Sequence, residues 1–100
     1  MSQIEILIFE RTGDFAENKD VARDIRIKEI IPALNKKEKV ILNFEKVGAA
    51  TQSFIHALIS DLFRKYGNDI LDRVIFKSCN ETITEIIYIV ADYMQEGLGD

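Results

Sequence analysis

A chain of 100 residues has room for one domain spanning 1–100 around one hydrophobic core. With 47% apolar and 30% charged residues, it reads as an ordinary folded protein and not as a disordered one. The net charge of −4 falls entirely in residues 51–100, where four Lys/Arg meet eight Asp/Glu, and this acidity excludes a nucleic-acid backbone as the main partner.

Gln3 to Phe9 is short and β-branched, so a first strand is expected there, and an edge position suits it. Arg11 to Asp14 has the composition of a turn. Asn18 or Asp20 can cap a helix that carries Val21, Ile25, Ile27, Ile30, Ile31 and Leu34 on an imperfect but wide apolar stripe. Pro32 should stop or bend that helix within a residue or two, because it lacks an N–H and crowds the preceding turn. Lys39 to Phe44 follows as a second strand, and its unbroken Val40-Ile41-Leu42 run is the pattern of a strand covered on both faces.

Thr51 opens a second helix with Ile55, Leu58, Ile59, Leu62 and Tyr66 at helical spacing, ended by Gly67 and Asn68. Arg73 to Lys77 is a third strand. Glu81 to about Gln95 is a third helix, capped by Asn80 or Thr82, and residues 97–100 form a tail expected to fray. Alternation of strands and helices with short loops implies an α/β domain with a parallel or mixed sheet.

Few residues assemble into recognisable chemistry. Ser53, His56 and Asp61 share one helix, which cannot enclose a substrate as a serine hydrolase does, and no Gly-x-Ser-x-Gly elbow is present. Gly13 and Gly48 are isolated, so no phosphate-cradling loop exists. Acidic pairs such as Asp20/Asp24 and Glu81/Glu85 read as solvated helix faces. One Cys and one His cannot make a four-ligand zinc site, so no metal, no cofactor and no catalytic residue is expected. The first residues lack the order of a signal peptide, and the longest apolar run falls well below the ~20 residues that span a bilayer. A cytoplasmic chain without a membrane partner is the expectation.

Thr51-Gln52-Ser53 is the exception. A helix start carrying two hydroxyls beside unpaired backbone N–H groups suits an anion, a phosphate or a partner protein. Thr51 there is a natural cap, and a phosphate on Ser53 would bring about −1.5 to −2 charge to the positive end of the helix.

The segment LNFEKVGAATQSFIHAL resembles the central motif of STAS domains, the sulfate-transporter and anti-sigma-factor-antagonist family. In the bacterial antagonists an apolar strand leads through a short loop into Asp-Ser-Ser-Gly at a helix start. Aligned without gaps, Asn43 takes the strand's polar position, Val47 its apolar anchor, and Ser53 the second serine, which is the phosphorylated one. The chain is more similar still to a STAS-like family of uncharacterised bacterial proteins. Asn43-Phe44-Glu45-Lys46-Val47, Gln52-Ser53-Phe54 and Asn80 carry that likeness, which extends over about 15–94. Thr51, Gln52 and Phe54 depart from the antagonist motif by replacing Asp, Ser and Gly. The last change sets a bulky ring beside Ser53, either to hinder a kinase or to offer an apolar docking point.

The resemblance implies a STAS-like α/β domain, with a mixed sheet of about four strands and three main helices. It implies a non-enzymatic regulatory role whose partner is a protein, in related systems a histidine-kinase-like ATPase. Ser53 would be the phosphate acceptor, with Ala50, Thr51, Ser53, Phe54 and Ala57 as contacts and Asn43, Glu45 and Asn80 as a strand-end patch. A STAS-like domain that senses a small molecule or nucleotide at the strand ends is the alternative, and self-association through a sheet edge stays open.

Overall fold

The computed structural model describes residues 2–98. Five short strands alternate with helices. The first strand, β1 (Gln3–Leu7), gives way to one helical turn, α1 (Phe9–Thr12), and then to a two-residue strand, β2 (Phe15–Ala16). Asn18 caps α2 (Lys19–Ile25), its Oδ1 accepting from the N–H groups of Asp20 and Val21. That helix runs through a widened turn (Arg26–Ile30) into α3 (Ile31–Asn35). Two strands follow, β3 (Lys39–Asn43) and the short β4 (Ala49–Ala50), then α4 (Gln52–Tyr66). After a tight turn (Gly67–Asp69) come α5 (Ile70–Arg73), β5 (Val74–Lys77) and α6 (Glu81–Leu98).

Pro32 neither stops nor sharply breaks the helix. The Ile31 N–H bonds to the Arg26 carbonyl, five residues back, and this π-type turn ends just before the proline. A wider turn is one way to relieve the crowding that the proline ring imposes on the carbonyl four residues earlier, and the helix then continues to Asn35. Gly97 and Leu98, expected in a frayed tail, continue α6, while Gly99 and Asp100 lie outside the described residues.

The sheet differs from the expected mixed, four-stranded one. Every strand pair is parallel, in a three-stranded sheet of order β1-β3-β5 and a separate pair β2-β4. The cause is connectivity: a helix lies between each pair of neighbouring strands in the main sheet, so none is joined by the tight hairpin that reverses direction. β1 is an edge strand, as its sequence suggests, and so is β5.

Val40 and Leu42 on central β3 face the helices and are fully buried, with Ile6 and Val74 beside them. Phe44, Phe54 and Phe63 are the largest buried side chains of the same core. The opposite face carries Glu5, Leu7, Ile41, Asn43, Ile75 and Lys77, and no element of the described chain covers it. Ile75 is 41% exposed there. The run Val40-Ile41-Leu42 therefore does not signal two covered faces. Ile41 is half-buried because its cross-strand neighbours Glu5 and Ile75 stand on either side of it.

Asn80 joins two parts of the fold. Its Oδ1 accepts from the Ile83 N–H at 2.9 Å to cap α6, and its Nδ2 donates to the Gly48 carbonyl at 2.8 Å. Urea unfolding should show Asn80→Ala destabilised by about 1–2 kcal/mol. Asn80→Ser, which keeps a capping oxygen but not the bond to Gly48, should fall between it and the native protein.

Candidate functional site

The start of α4 is held from three directions. The Thr51 hydroxyl accepts from the Phe54 N–H at 3.0 Å, and its carbonyl from the Ile55 N–H at 3.2 Å. The Thr51 N–H in turn donates to the Ala16 carbonyl at 3.0 Å, so the β2-β4 pair straps the loop down just before the helix begins. The Asp14 carbonyl accepts from both Gly48 and Ala49, which fixes the same loop from outside. What remains at the helix start is an exposed Gln52 and an exposed Ser53, whose backbone N–H groups belong to the first turn and have no partner within the helix.

Two expected contact residues do not reach the surface. The Phe54 ring is 0% exposed, and Ala50 is buried as well. Phe54 is the third residue of the helix, and helical geometry puts that position on a buried side of α4 together with Leu58, one turn on. Its ring neither shields Ser53 nor offers an apolar contact. Thr51 and Ala57 are half-buried. Ala57 sits where Arg26 reaches across from the widened turn after α2, the guanidinium donating to the Ala57 carbonyl at 2.5 Å.

An exposed aromatic stands on the strap itself: Phe15, 47% exposed on β2 and in register with Ala49. Phe9, also partly exposed, lies under the Lys46 ammonium, 5.9 Å from the ring centre. The sequence reading assigns no element to Phe15. Its only signal there is an aromatic residue standing alone between a Gly-Asp turn and a capping Asn.

The strand-end residues are engaged inside the fold. Asn43 is buried. Its Oδ1 accepts from the Glu45 N–H at 2.9 Å, and its Nδ2 donates to Glu5 Oε2 at 2.7 Å. Lys77 approaches the same Glu5 oxygen at 3.4 Å. The Asn43 hydrogen bond, with a smaller contribution from Lys77, holds the Glu5 carboxyl below its ordinary value against the opposing effect of burial. Asn80 has both amide atoms engaged as well.

Candidates for catalysis are not assembled. Asp61 is committed to two arginines, Arg26 at 3.3 Å and Arg64 at 2.5 Å, and so is not the group that would orient His56. Burial pushes the Cys79 thiol up to about 11, which keeps it protonated at neutral pH. Among the described residues no group of three or more His, Cys, Asp or Glu is gathered to hold a metal, and no helix is long and apolar enough to cross a membrane.

Two measurements check this geometry. Phe54→Ala should lose about 3–5 kcal/mol of stability by emptying a core position, whereas Ser53→Ala should leave the urea midpoint almost unchanged. Glu5 titrates lower folded than unfolded, so its contribution is present above the unfolded value and is lost as the pH falls through the lowered folded value. Carboxyl NMR should find Glu5 titrating below an ordinary glutamate, and Asn43→Ala should move it back toward one.

The chain matches the family described as STAS-like domain of unknown function (DUF4325) over residues 22–84. No curated protein and no solved structure gives a significant match. The matched region runs from α2 through β3, the strapped loop, α4 and β5 into the first turn of α6, and so takes in the site as well as most of the core. With more than half of its length matched, the chain belongs to this STAS-like family.

Proposed function

We propose that the protein is a non-enzymatic regulatory domain that docks a protein partner through the start of α4. The observation that carries this reading is selective exposure. Thr51, Asn43 and Asn80 have their hydrogen-bonding groups engaged internally, whereas Gln52 and Ser53 are exposed, and so is Phe15 on the strand that straps the preceding loop. A polar patch with one apolar anchor, on a rigidly strapped helix start, is suited to protein recognition. Thr51 and Ala57 border the patch, with Glu45 near the strand end. Phe15 takes the anchoring part that the sequence assigns to Phe54.

The partner class proposed is a histidine-kinase-like ATPase, with Ser53 as the phosphate acceptor. A phosphate there would be favoured locally by the helix start, at about 0.3–1 kcal/mol. It would give the docking surface a strong negative charge and release an acidic partner. Recognition of a small molecule by the strand-end amides has less support, since Asn43 and Asn80 are both occupied within the fold.

The test uses the purified protein with an ATPase of that class. Amide shifts on complex formation should centre on Gln52, Ser53 and Phe15, and Phe15→Ala should weaken binding. Incubation with ATP should add about 80 Da to the peptide bearing Ser53, and Ser53→Asp should lower the affinity about tenfold or more. Shifts centred elsewhere would remove the docking surface. A stable complex that leaves Ser53 unlabelled would remove the switch alone.

A further inference from the structure

A second surface, at the opposite end of α4, has features of its own. A groove of about 490 Å³ runs between α6, the last turns of α4, α5 and the outer side of β5. Its walls are apolar, with Leu71, Val74, Phe76 and Ile87 among them, and Tyr88 stands at its rim 70% exposed. A second depression follows β5 itself from Leu71 to Cys79.

β5 is the open edge of a parallel sheet, paired with β3 on one side only. Its Lys77 carbonyl points inward, accepting from the Phe44 N–H at 2.8 Å. Successive residues of a strand point their backbone groups to opposite sides, so the N–H and C=O of Phe76 and the C=O of Val74 face the open edge, while the Val74 N–H is taken by the Ile70 carbonyl. Anything that covers this groove also removes water from those groups. A helix lying in the groove would leave them unsatisfied, at a cost of about 1–3 kcal/mol each, whereas an extended chain would hydrogen-bond them.

Charge determines which extended chain fits. Among the described residues Asp92 is the only charged residue lining the groove. α6 carries Glu81, Glu85, Asp92 and Glu96 with no Lys or Arg. The cations nearest β5 are turned elsewhere: Arg73 donates to the Leu34 carbonyl, and Lys77 approaches Glu5. A second copy of this chain, docked through the same face, would bring two acidic α6 helices together.

We infer that the β5 edge and its groove receive an extended, apolar segment bearing lysine or arginine from a partner protein, added as a fourth strand of the main sheet. Its alternate side chains enter the groove beside Leu71 and Ile87 and lie over Ile75 on the open face, and a basic residue meets Asp92. This surface is separate from the start of α4 and does not depend on the function proposed for it.

The probe is a synthetic nine-residue peptide alternating Val with Lys, compared with versions carrying Glu for Lys or a central Pro. The Val/Lys peptide should slow hydrogen exchange of the Phe76 N–H by about tenfold or more, and the other two should not. Leu71→Ala and Tyr88→Ala, at exposed positions, should weaken that effect without unfolding the protein, and Asp92→Lys should abolish the preference for Lys over Glu. Absence of protection with the Val/Lys peptide would overturn the inference. So would equal protection by the Glu or Pro versions, or a dimer of the protein alone with Phe76 already protected.

Discussion

Everything in this fold hangs on the central strand, β3. It is the only strand of the main sheet with a neighbour on each side, and its alternation sends Val40 and Leu42 into the helical layer. Burial of those two side chains in the core, together with Phe44 just beyond the strand, sets the register of β1 and β5 as well. A slip of one residue in β3 would turn Val40 and Leu42 outward and bring Ile41 and Asn43 under the helices. Asn43 would then lose both of its partners, the Glu45 N–H and the Glu5 carboxylate. The polar residue at the strand end therefore reinforces the register that the apolar residues select.

The same register carries the proposed docking surface. Once Phe44 is buried, the chain turns through Lys46 at a positive φ of 72°, and Val47 returns to the core. From there the loop is tied at Gly48, Ala49 and Thr51 before α4 begins. These ties come from Asp14, Ala16 and Asn80, residues far from α4 in sequence. A helix start held in this way is pre-organised, which lowers the entropic cost of binding a partner there. Gln52 and Ser53 owe their fixed exposure to bonds in which they take no part.

Much of the fold was legible because it rests on local patterns. The stripe on α4, the caps at Asn18, Thr51 and Asn80, and the β-branched strands were all readable from periodicity and side-chain chemistry. The short pieces were not. β2 and β4 have two residues each and no period to detect, although they strap the loop that leads into α4. Pro32 was read by its local effect alone, and the widened turn before it accommodates the ring without ending the helix. Phe54 was misplaced because its neighbour in sequence, Ser53, is exposed, and a step of one residue along a helix turns the side chain by about 100°.

By itself, then, the sequence determined the α/β alternation and the family likeness, since these depend on residue type and on spacing over a few turns. Tertiary structure decided which face of each element is covered. It made the sheet parallel and left one face open, because helices lie between its paired strands. It buried Phe54 and Ala50 in the core, paired Phe15 with Ala49 in the loop before α4, and left β5 as an edge next to an acidic helix. Those outcomes follow from contacts between residues tens of positions apart, and no local pattern encodes which distant side chain will arrive.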